Sequence, residues 1–580
     1  MNLKTSPRGN RKYLSIVHGF RDRDSKIVKT KTIKSLGYLD ELEKIYEDPI
    51  AHFKEVARKM TEEEKERRKT TIVLDMDEEL PAGSNGRKNL GYAAILKIYH
   101  ELELDRFFNN KARHHGFEYN TNSIMTLLVV SRLLSPGSKK KAFEERGRYF
   151  ERFDFSLTDV YRSLSHFATT AQDAQRHINE RVSACYGRDS KTVYYDVTNF
   201  YFHTDQEDNL RKIGVSKERR RKPIVQMGLA MDADGVPLHY ELFPGNAQDK
   251  STFRSVIGEV RRNYDTGRIV VVADMGIITG DNIFYLVGGE KREKPLNGYV
   301  FSFSVRGGTD KFKEYVLDRS GYRTIDGKAV DESTDFMIKS RRIARDISVT
   351  MTSGKTEKKT VYEKQVVFWG AQYAAKAKSD REKVVLKANN IVGNPQNYTR
   401  ATSYGAAKYV KNIAYDKKTG EVVNAAKTLA FDWDKVNEEE KYDGYYSIVT
   451  SELGMSDQEI IDTYRGLWEI EETFRITKGA LEARPVYVSL EDRVNAHFLT
   501  CFIALVIIRL LQKQTGGEFS CEKIVDCLNQ ISGSNEQENI YLFDYRSPLS
   551  DAIGAATGID FSKKRVRLGD VKNIVAKSKK

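Results

Sequence analysis

Three acidic residues stand where carboxylates could do chemistry: Asp196, Asp274 and Glu471. Asp196 lies within residues 192 to 202, a run so rich in aromatic and β-branched side chains that it predicts a buried strand. Aspartate is unfavourable in strands and costly to bury without a partner, so its presence there requires a reason. Carboxylate oxygens are the ligands that Mg²⁺ prefers. The three acids are therefore candidates for a metal-dependent site.

Asp274 ends a second apolar run, residues 268 to 274, which predicts a strand covered on both faces. A carboxylate at the carboxyl end of such a strand lies where open α/β sheets place their ligands. Ordinary roles are also possible for each acid taken alone. Asp196 could face solvent, Asp274 could cap the following turn, and Glu471 could pair with a basic residue on its own helix.

Glu471 lies in a segment that predicts one helix from Tyr464 to Lys478. Tyr464, Glu471 and Lys478 are spaced by seven residues, about two helical turns, so they share a face. Ser456 followed by Glu459 is a capping-box pattern that predicts the start of the helical region. An apolar stripe beside Glu471 predicts that the helix packs along one edge, and consists of Leu467, Ile470, Phe474 and Leu481.

The order of the predicted elements determines how these acids could meet. Strands at residues 192 to 202, 224 to 231 and 238 to 243 predict an antiparallel meander. A helix, the Asp274 strand, a second helix and a strand at residues 298 to 305 follow. Periodicity alone predicts a mixed α/β fold. Acids on the first and fourth strands and on a later helix are also the plan of a ribonuclease-H-like core.

Several segments carry a family resemblance, which covers roughly residues 190 to 305 and 440 to 510. They are Tyr195 to Thr198, Gly228-Leu229, Asp234 to Pro237, Pro244 to Asn246, Val271 to Gly276, Trp468 to Glu471, Phe474-Arg475, Lys478 and Arg484 to Val486. Together they resemble the DDE transposases of bacterial insertion sequences, in the group with a Tyr, Arg, Glu, Lys signature around the last acid. The arginine usual three residues after the tyrosine is Leu467 here, so Arg465 or Arg475 would take its role.

The resemblance implies a chemistry. Asp196 would bridge two Mg²⁺ ions, for which Mn²⁺ could substitute, while Asp274 and Glu471 would each hold one ion. Two such ions can activate the attacking oxygen and stabilise the leaving oxygen. The same site would cleave DNA and then transfer a 3′-hydroxyl end to target DNA, without a covalent protein intermediate. The implied partners are double-stranded element ends, target DNA and a second copy in a paired-end homodimer.

Basic residues supply the candidate DNA contacts. The formal net charge is +13 and the sequence pI is about 9.1, which favours a nucleic acid partner. By resemblance, Tyr464 and Lys478 would contact phosphates near the element end, and we add Arg465 and Arg475 as candidates. The basic run Arg219, Arg220, Arg221 and Lys222 is a further candidate, although such runs are often only solvated surface.

We predict an α/β fold in which a ribonuclease-H-like core is interrupted by a mostly β insertion and preceded by a helical region. The insertion is predicted from strand-like runs at residues 365 to 370, 382 to 386 and 445 to 449. The predicted domains are 1 to 80 (strands and helix), 87 to 188 (helical, DNA-end binding), 189 to 309 (core), 310 to 447 (insertion), 448 to 512 (core) and 513 to 580 (basic).

Other classes fit the sequence less well. The four cysteines lack metal or disulfide spacing, which favours the reducing bacterial cytoplasm. The apolar run at residues 498 to 508 is shorter than the roughly 20 residues of a membrane span, so it predicts a core helix and no membrane partner. Two alternatives to a transposase stay open: a ribonuclease-H-like nuclease that only hydrolyses nucleic acid, and a non-catalytic DNA-binding protein.

Overall fold

A computed structural model describes residues 1–21, 28–67, 77, 79, 82, 86–202, 206–214, 222–264, 267–289, 297–399, 402–415, 422, 429–536 and 539–580. The chain divides into two compact units, Met1–Asn85 and Gly86–Lys580. In the first unit, strands β1 (Asn2–Arg8), β2 (Arg11–Arg21) and β3 (Val28–Tyr38) form an antiparallel sheet in that order. Helices α1 (Leu39–Leu42) and α2 (Pro49–Arg67) follow, and Leu14, Leu42 and Phe53 form a small core.

The second unit begins with a short strand, which was not predicted, followed by the predicted helical region. These elements are β4 (Arg87–Asn89), α3 (Tyr92–Glu101), α4 (Leu104–Ala112), α5 (Thr121–Leu134), α6 (Lys139–Glu144), α7 (Leu157–Thr169) and α8 (Ala171–Tyr186). Asn120, Ser138 and Ser156 accept hydrogen bonds from the first turns of α5, α6 and α7. These side chains fix where the helices begin.

An eight-stranded sheet occupies the middle of the second unit. Its strands are β5 (Thr192–Tyr201), β6 (Ile224–Met231), β7 (Pro237–Pro244), β8 (Val270–Ala273), β9 (Gly298–Ser302), β10 (Phe336–Thr350), β11 (Thr356–Gly370) and β14 (Tyr445–Thr450), in the spatial order β10-β11-β14-β9-β8-β5-β6-β7. Strands β5, β6 and β7 are antiparallel, whereas β5, β8 and β9 are parallel. Helix α9 (Asp249–Asn263) precedes β8, and α10 (Gly280–Leu286) precedes β9. The predicted mixed α/β fold is confirmed.

Three helices follow the last sheet strand: α14 (Asp457–Arg465), α15 (Trp468–Lys478) and α16 (Glu491–Gln514). The predicted capping box of Ser456 and Glu459 starts α14. By length and composition α16 could cross a membrane, but 94% of its apolar window is buried inside the protein. Its Phe498 and Phe502 rings lie 4.8 and 5.1 Å from those of Phe200 and Tyr240 on the sheet. The predicted core helix is therefore confirmed.

Side chains on the central strands alternate between two cores. On β5, Tyr194 and Phe200 belong to the core shared with α14, α15 and α16, whereas Val193 and Tyr195 belong to the core shared with α9. Val272 of β8 belongs to the first of these cores. Asp196 and Asp274 follow the same alternation and thus lie on the face that α14 to α16 cover.

The segment from residue 310 to 447 extends the sheet and adds helices. Strands β10 and β11 form a long hairpin that joins the sheet through β14. The remaining elements are α11 (Asp310–Leu317), α12 (Ala371–Gly393), β12 (Val410–Lys411), β13 (Ala430–Phe431) and α13 (Trp433–Glu440). Residues 365 to 370 and 445 to 449 are strands, as predicted. The strand predicted at 382 to 386 is wrong because the strong helix formers around Val384 and Val385 place them inside α12.

The C-terminal basic region is structured. Its elements are α17 (Cys521–Gln530), β15 (Ser532–Asn535), β16 (Ile540–Phe543), α18 (Pro548–Thr557), β17 (Arg565–Arg567) and α19 (Leu568–Ser578). Strands β15, β16 and β17 form a four-stranded sheet with β4, so the two ends of the second unit pair with each other. The predicted domain boundaries stay predictions.

Candidate active site

Asp196 and Asp274 lie side by side on neighbouring parallel strands. The last paired residues of β5 and β8 are Tyr195 and Ala273, and the two aspartates each follow by one position. Ala273 also pairs with Phe301 of β9, which puts Ser302 next in the same row. Residues at one level of a parallel sheet point to the same face. Backbone register alone therefore brings Asp196, Asp274 and Ser302 into one row.

Asp274 has one carboxylate oxygen fully engaged and the other open. Its Oδ1 accepts hydrogen bonds from Ser302 Oγ at 2.8 Å, from Met275 N at 2.7 Å and from Tyr464 Oη at 3.4 Å. Its Oδ2 accepts none from any residue in the described part of the chain. The Met275 bond also caps the following 3₁₀ turn, so the ordinary capping role and an exposed carboxylate coexist in one residue.

Helix α15 runs along the face of β5 that carries Asp196. At one end, Tyr194 Oη donates to Thr463 O at 3.0 Å, beside Gly466; at the other, Lys478 Nζ lies 5.9 Å from the Phe200 ring centroid. From Tyr194 to Phe200 the strand spans six residues at about 3.3 Å each. From Gly466 to Lys478 the helical segment spans twelve residues at about 1.5 Å each, so the two lengths match. Asp196 lies a third of the way along the strand segment, which is the level of the helical turn that contains Ile470 and Glu471.

Tyr464 links the last two acids. Burial raises the pKa of its phenol well above the ordinary value, and the negative charges of Asp274 and Glu471 raise it further, against an opposing hydrogen bond with Ser302. An electrostatic effect from both acids requires that both be near one hydroxyl. Both acids therefore lie within electrostatic range of the Tyr464 hydroxyl, and the shared helix face of Tyr464 and Glu471 stays a prediction.

The predicted single helix is interrupted, however, between α14 and α15. Leu467, Glu469 and Ile470 donate their backbone N–H groups to the carbonyls three residues earlier, which tightens the chain into a 3₁₀ turn. A Cβ atom on Gly466 would lie 2.1 Å from Tyr194 Oη. Only glycine permits this close approach of helix and strand, and the sequence pattern gave no sign of it.

A buried arginine of the following helix holds the inner side of α15 in position. Arg509 of α16 forms ion pairs with Glu469 at 3.2 Å and with Glu472 at 3.1 Å. It also donates to Thr473 Oγ1 at 2.6 Å and to the Glu469 carbonyl at 3.0 Å. Glu471 lies on the opposite, exposed side of α15 and makes no ion pair with any described residue. Of the three glutamates, it alone is left for a ligand.

The donor types of the three acids fit a hard divalent cation, since all are carboxylate oxygens and Asp274 Oδ2 is open. As placed, their side chains are not gathered: within the described ranges, no group of three or more His, Cys, Asp and Glu side chains could hold a metal ion. Backbone register and helix position thus put the acids on one face, and side-chain rotation is still needed to bring Glu471 to the aspartates.

The predicted DNA contacts fall into different surroundings. Arg475 is exposed and lies 3.6 Å from Glu472, on the side of α15 that carries Glu471. Arg465 pairs with Asp462 at 3.5 Å and lies 5.9 Å from the Phe336 ring, on the preceding helix. Lys222 precedes β6. Arg219, Arg220 and Arg221 lie outside the described residues.

Sequence reasoning missed Ser302 and Arg509 as parts of this site. Ser302 ends a predicted strand, and aligning that strand in parallel with the Asp274 strand would have placed it beside Asp274. Arg509 gave a signal too, because an arginine inside an apolar helix needs buried partners. Nothing in the sequence, however, names those partners.

The comparison with protein families concerns a different part of the chain. Residues 3–71 match the N-terminal domain of the IS1634 family transposases. No curated protein matches the chain. The class of protein that this match supports is a transposase of an insertion sequence.

Proposed function

We propose that this protein is a DDE transposase that uses Asp196, Asp274 and Glu471 to cleave DNA and to transfer the cut ends. The single observation that carries the proposal is the row of Asp196 and Asp274 at the ends of two adjacent parallel strands, on the face along which α15, the helix of Glu471, packs. Three antiparallel strands followed by two parallel ones also match the strand plan of a ribonuclease-H-like core.

Bound Mg²⁺ would supply Lewis acidity for the attacking and leaving oxygens. Asp196, Asp274 and Glu471 would together hold the ions. The protein's own contribution is orientation. Ser302 and Tyr464 fix Asp274 so that Oδ2 faces outward, and Arg509 fixes the rotation of α15, on which Glu471 stays exposed.

Basic residues near the acids would bind the DNA backbone. Lys478 and Arg475 are the best placed of the predicted contacts, because both lie on the Glu471 side of α15. Arg475 is thus preferred over Arg465 as the replacement for the family arginine missing at Leu467. Tyr464 takes a second role here, since its hydroxyl already binds Asp274. The proposed partners are element ends, target DNA and a second copy of the chain, in the bacterial cytoplasm.

The test uses purified full-length protein, Mg²⁺ and a plasmid carrying the DNA that flanks its reading frame. We expect nicks at inverted repeats in the wild type, none with Asp196→Ala, Asp274→Ala or Glu471→Ala, and DNA binding retained in all three. Asp310→Ala is the matched control because that carboxylate is 96% exposed and lies outside the site. Retained cleavage in any of the three variants would remove that residue from the site.

A second assay separates a transposase from a nuclease that only hydrolyses. Pre-cut flanking DNA with free 3′-hydroxyl ends is incubated with a target plasmid, and the proposal expects covalent joined products. Cleavage without joining would favour the hydrolytic nuclease. Binding without either reaction would favour a DNA-binding protein.

A further inference from the structure

A lysine, a histidine and an arginine are buried together where α5, α6 and α16 meet. Arg132 lies in α5, Lys139 begins α6 and His497 lies in α16, and each of the three residues is at most 4% exposed. In the described part of the chain, Lys139 and Arg132 have as hydrogen-bond partners only His497 and three backbone carbonyls, with no carboxylate among them. Burying two bases without an acid is costly, so the arrangement requires a reason.

The hydrogen bonds of His497 define which of its ring nitrogens carries the proton. Nε2 lies 3.1 Å from the carbonyl oxygen of Ala483, which can only accept, so Nε2 donates. Nδ1 of the neutral ring is then an acceptor, and Lys139 Nζ, at 3.0 Å, is its donor. One N–H is enough for this bond, so an uncharged amine can make it. Burial, together with the nearby Lys139 and Arg132, lowers the pKa of His497 well below its ordinary value and keeps the ring neutral.

The groups around Lys139 favour its uncharged form. Burial, and next the positive charge of Arg132, lower the pKa of the Lys139 amine to about 7, against an opposing effect of the Cys501 thiol. The other elements packed against α6 are the 3₁₀ turn that follows it and α7, which carry the acids Glu145 and Asp159. Both acids are bound to other side chains. The amine therefore has no counter-ion among the described residues.

The same cluster holds the chain just after α15. Arg132 Nη1 donates to the carbonyls of Leu481 and Glu482 at 3.1 and 3.2 Å. His497 donates to the carbonyl of the next residue, Ala483. Glu482 has a φ of 39°, a left-handed conformation that is unfavourable for a residue with a side chain and persists only where the surroundings hold it. The cluster therefore supplies the contacts that keep this segment, residues 481 to 483, in place beyond the end of α15.

We propose that Lys139 is a positioning residue for segment 481–483, which it holds through His497 in its uncharged form, and that a proton on Lys139 loosens the segment and with it the end of α15. The step is a protonation only, and the proton comes from solvent. It would add a second buried positive charge beside Arg132, whose guanidinium holds two carbonyls of the segment. An effect on DNA cleavage rests on the function proposed above, whereas the clamp itself does not.

The first experiment measures denaturant unfolding of the full-length protein, without DNA, from pH 6 to pH 9. The test variants are Lys139→Met, which is apolar, and Lys139→Gln, which keeps an uncharged donor. The matched control is Lys140→Met, which removes the exposed lysine next along the same helix.

The expected pH dependence follows from the two states of Lys139. The unfolded chain releases this proton only near its ordinary pKa of about 10.4, whereas the folded protein releases it near pH 7, so stability rises with pH between these values. We expect the ratio of the wild-type unfolding constant to that of either Lys139 variant to fall about fiftyfold from pH 7 to pH 9, and by about twofold or less from pH 6 to pH 7. The ratio to Lys140→Met should stay constant.

Hydrogen exchange of residues 479 to 486, followed by mass spectrometry, tests the clamp directly. With exchange times scaled for the intrinsic pH dependence, the wild-type segment should exchange about tenfold faster at pH 6 than at pH 8, which is the ratio of the charged fractions of Lys139. Lys139→Gln should show no such change. Unfolding ratios that do not vary with pH would overturn the proposal, and so would equal wild-type exchange at both pH values, a result that needs no variant to fold. A protein that passes both tests but does not cut DNA would overturn the proposed function alone.

Discussion

The acids on the strands and the acid on the helix are held in different ways. Asp196 and Asp274 are neighbours because backbone hydrogen bonds set the register of β5 and β8. Glu471 depends on the packing of α15, through the close contact at Gly466 and the Arg509 ion pairs. The strand half of the proposed site is thus fixed by the fold itself, whereas the helix half is fixed by a few side chains, so single substitutions can displace it.

The largest effect is expected from the strand acids. Asp274→Asn keeps the hydrogen bonds of Oδ1 possible but removes the negative charge, so we expect DNA cleavage to fall by about 10³-fold or more, equivalent to several kcal/mol of lost metal-dependent stabilisation. Thermal unfolding should change little because the side chain is exposed. Single-turnover cleavage rates measure the effect, and a loss below tenfold would exclude Asp274 as a metal ligand.

Substitutions that release α15 should act mainly by lowering the stability of the protein. Arg509→Met leaves Glu469 and Glu472 without their buried partner, which we expect to lower the free energy of unfolding by about 3 to 5 kcal/mol. The matched control is Lys513→Met on the same helix, whose ion pair with Asp234 is exposed and contributes about 0 to 1 kcal/mol. Denaturant unfolding compares the two variants, and similar losses would contradict the anchoring role of Arg509.

The close approach of helix and strand gives a smaller effect. Gly466→Ala would put a Cβ atom 2.1 Å from Tyr194 Oη, so we expect a loss of about 1 to 3 kcal/mol despite the better helix propensity of alanine. Gly454→Ala is the control, since a Cβ atom there has no neighbour within 4 Å. Its unfolding free energy should stay within about 0.5 kcal/mol of the wild type. An unchanged free energy of unfolding in Gly466→Ala would show that α15 can move away from Tyr194 without cost.

The smallest effect separates the two side chains that orient Asp274. Ser302→Ala removes the 2.8 Å hydrogen bond and should slow cleavage by about tenfold, whereas Tyr464→Phe removes the weaker 3.4 Å bond and should cost less. Neither variant should change DNA affinity in EDTA by more than about twofold, because neither removes a charge. A larger loss with Tyr464→Phe, together with weaker DNA binding in EDTA, would show that Tyr464 contacts the DNA directly, as the family resemblance implies.

The sequence by itself located most helices and strands and singled out the three acids as candidates. Alternation and β-branched runs located the central strands, and the capping box located the start of α14. The sequence-based prediction was wrong at residues 382 to 386. Three apolar residues in a row fit a strand or a helix equally well there, and the flanking helix formers favoured the helix. Local patterns succeed where the information is local.

Only the tertiary structure decided how the acids are supported. The hydrogen bonds to Asp274 come from Ser302 and Tyr464, 28 and 190 residues away, and the anchor of α15 comes from the following helix. The β10–β11 hairpin likewise joins the central sheet rather than forming a sheet of its own. Such partners are chosen by shape and register across the whole fold, which periodicity and propensity do not encode.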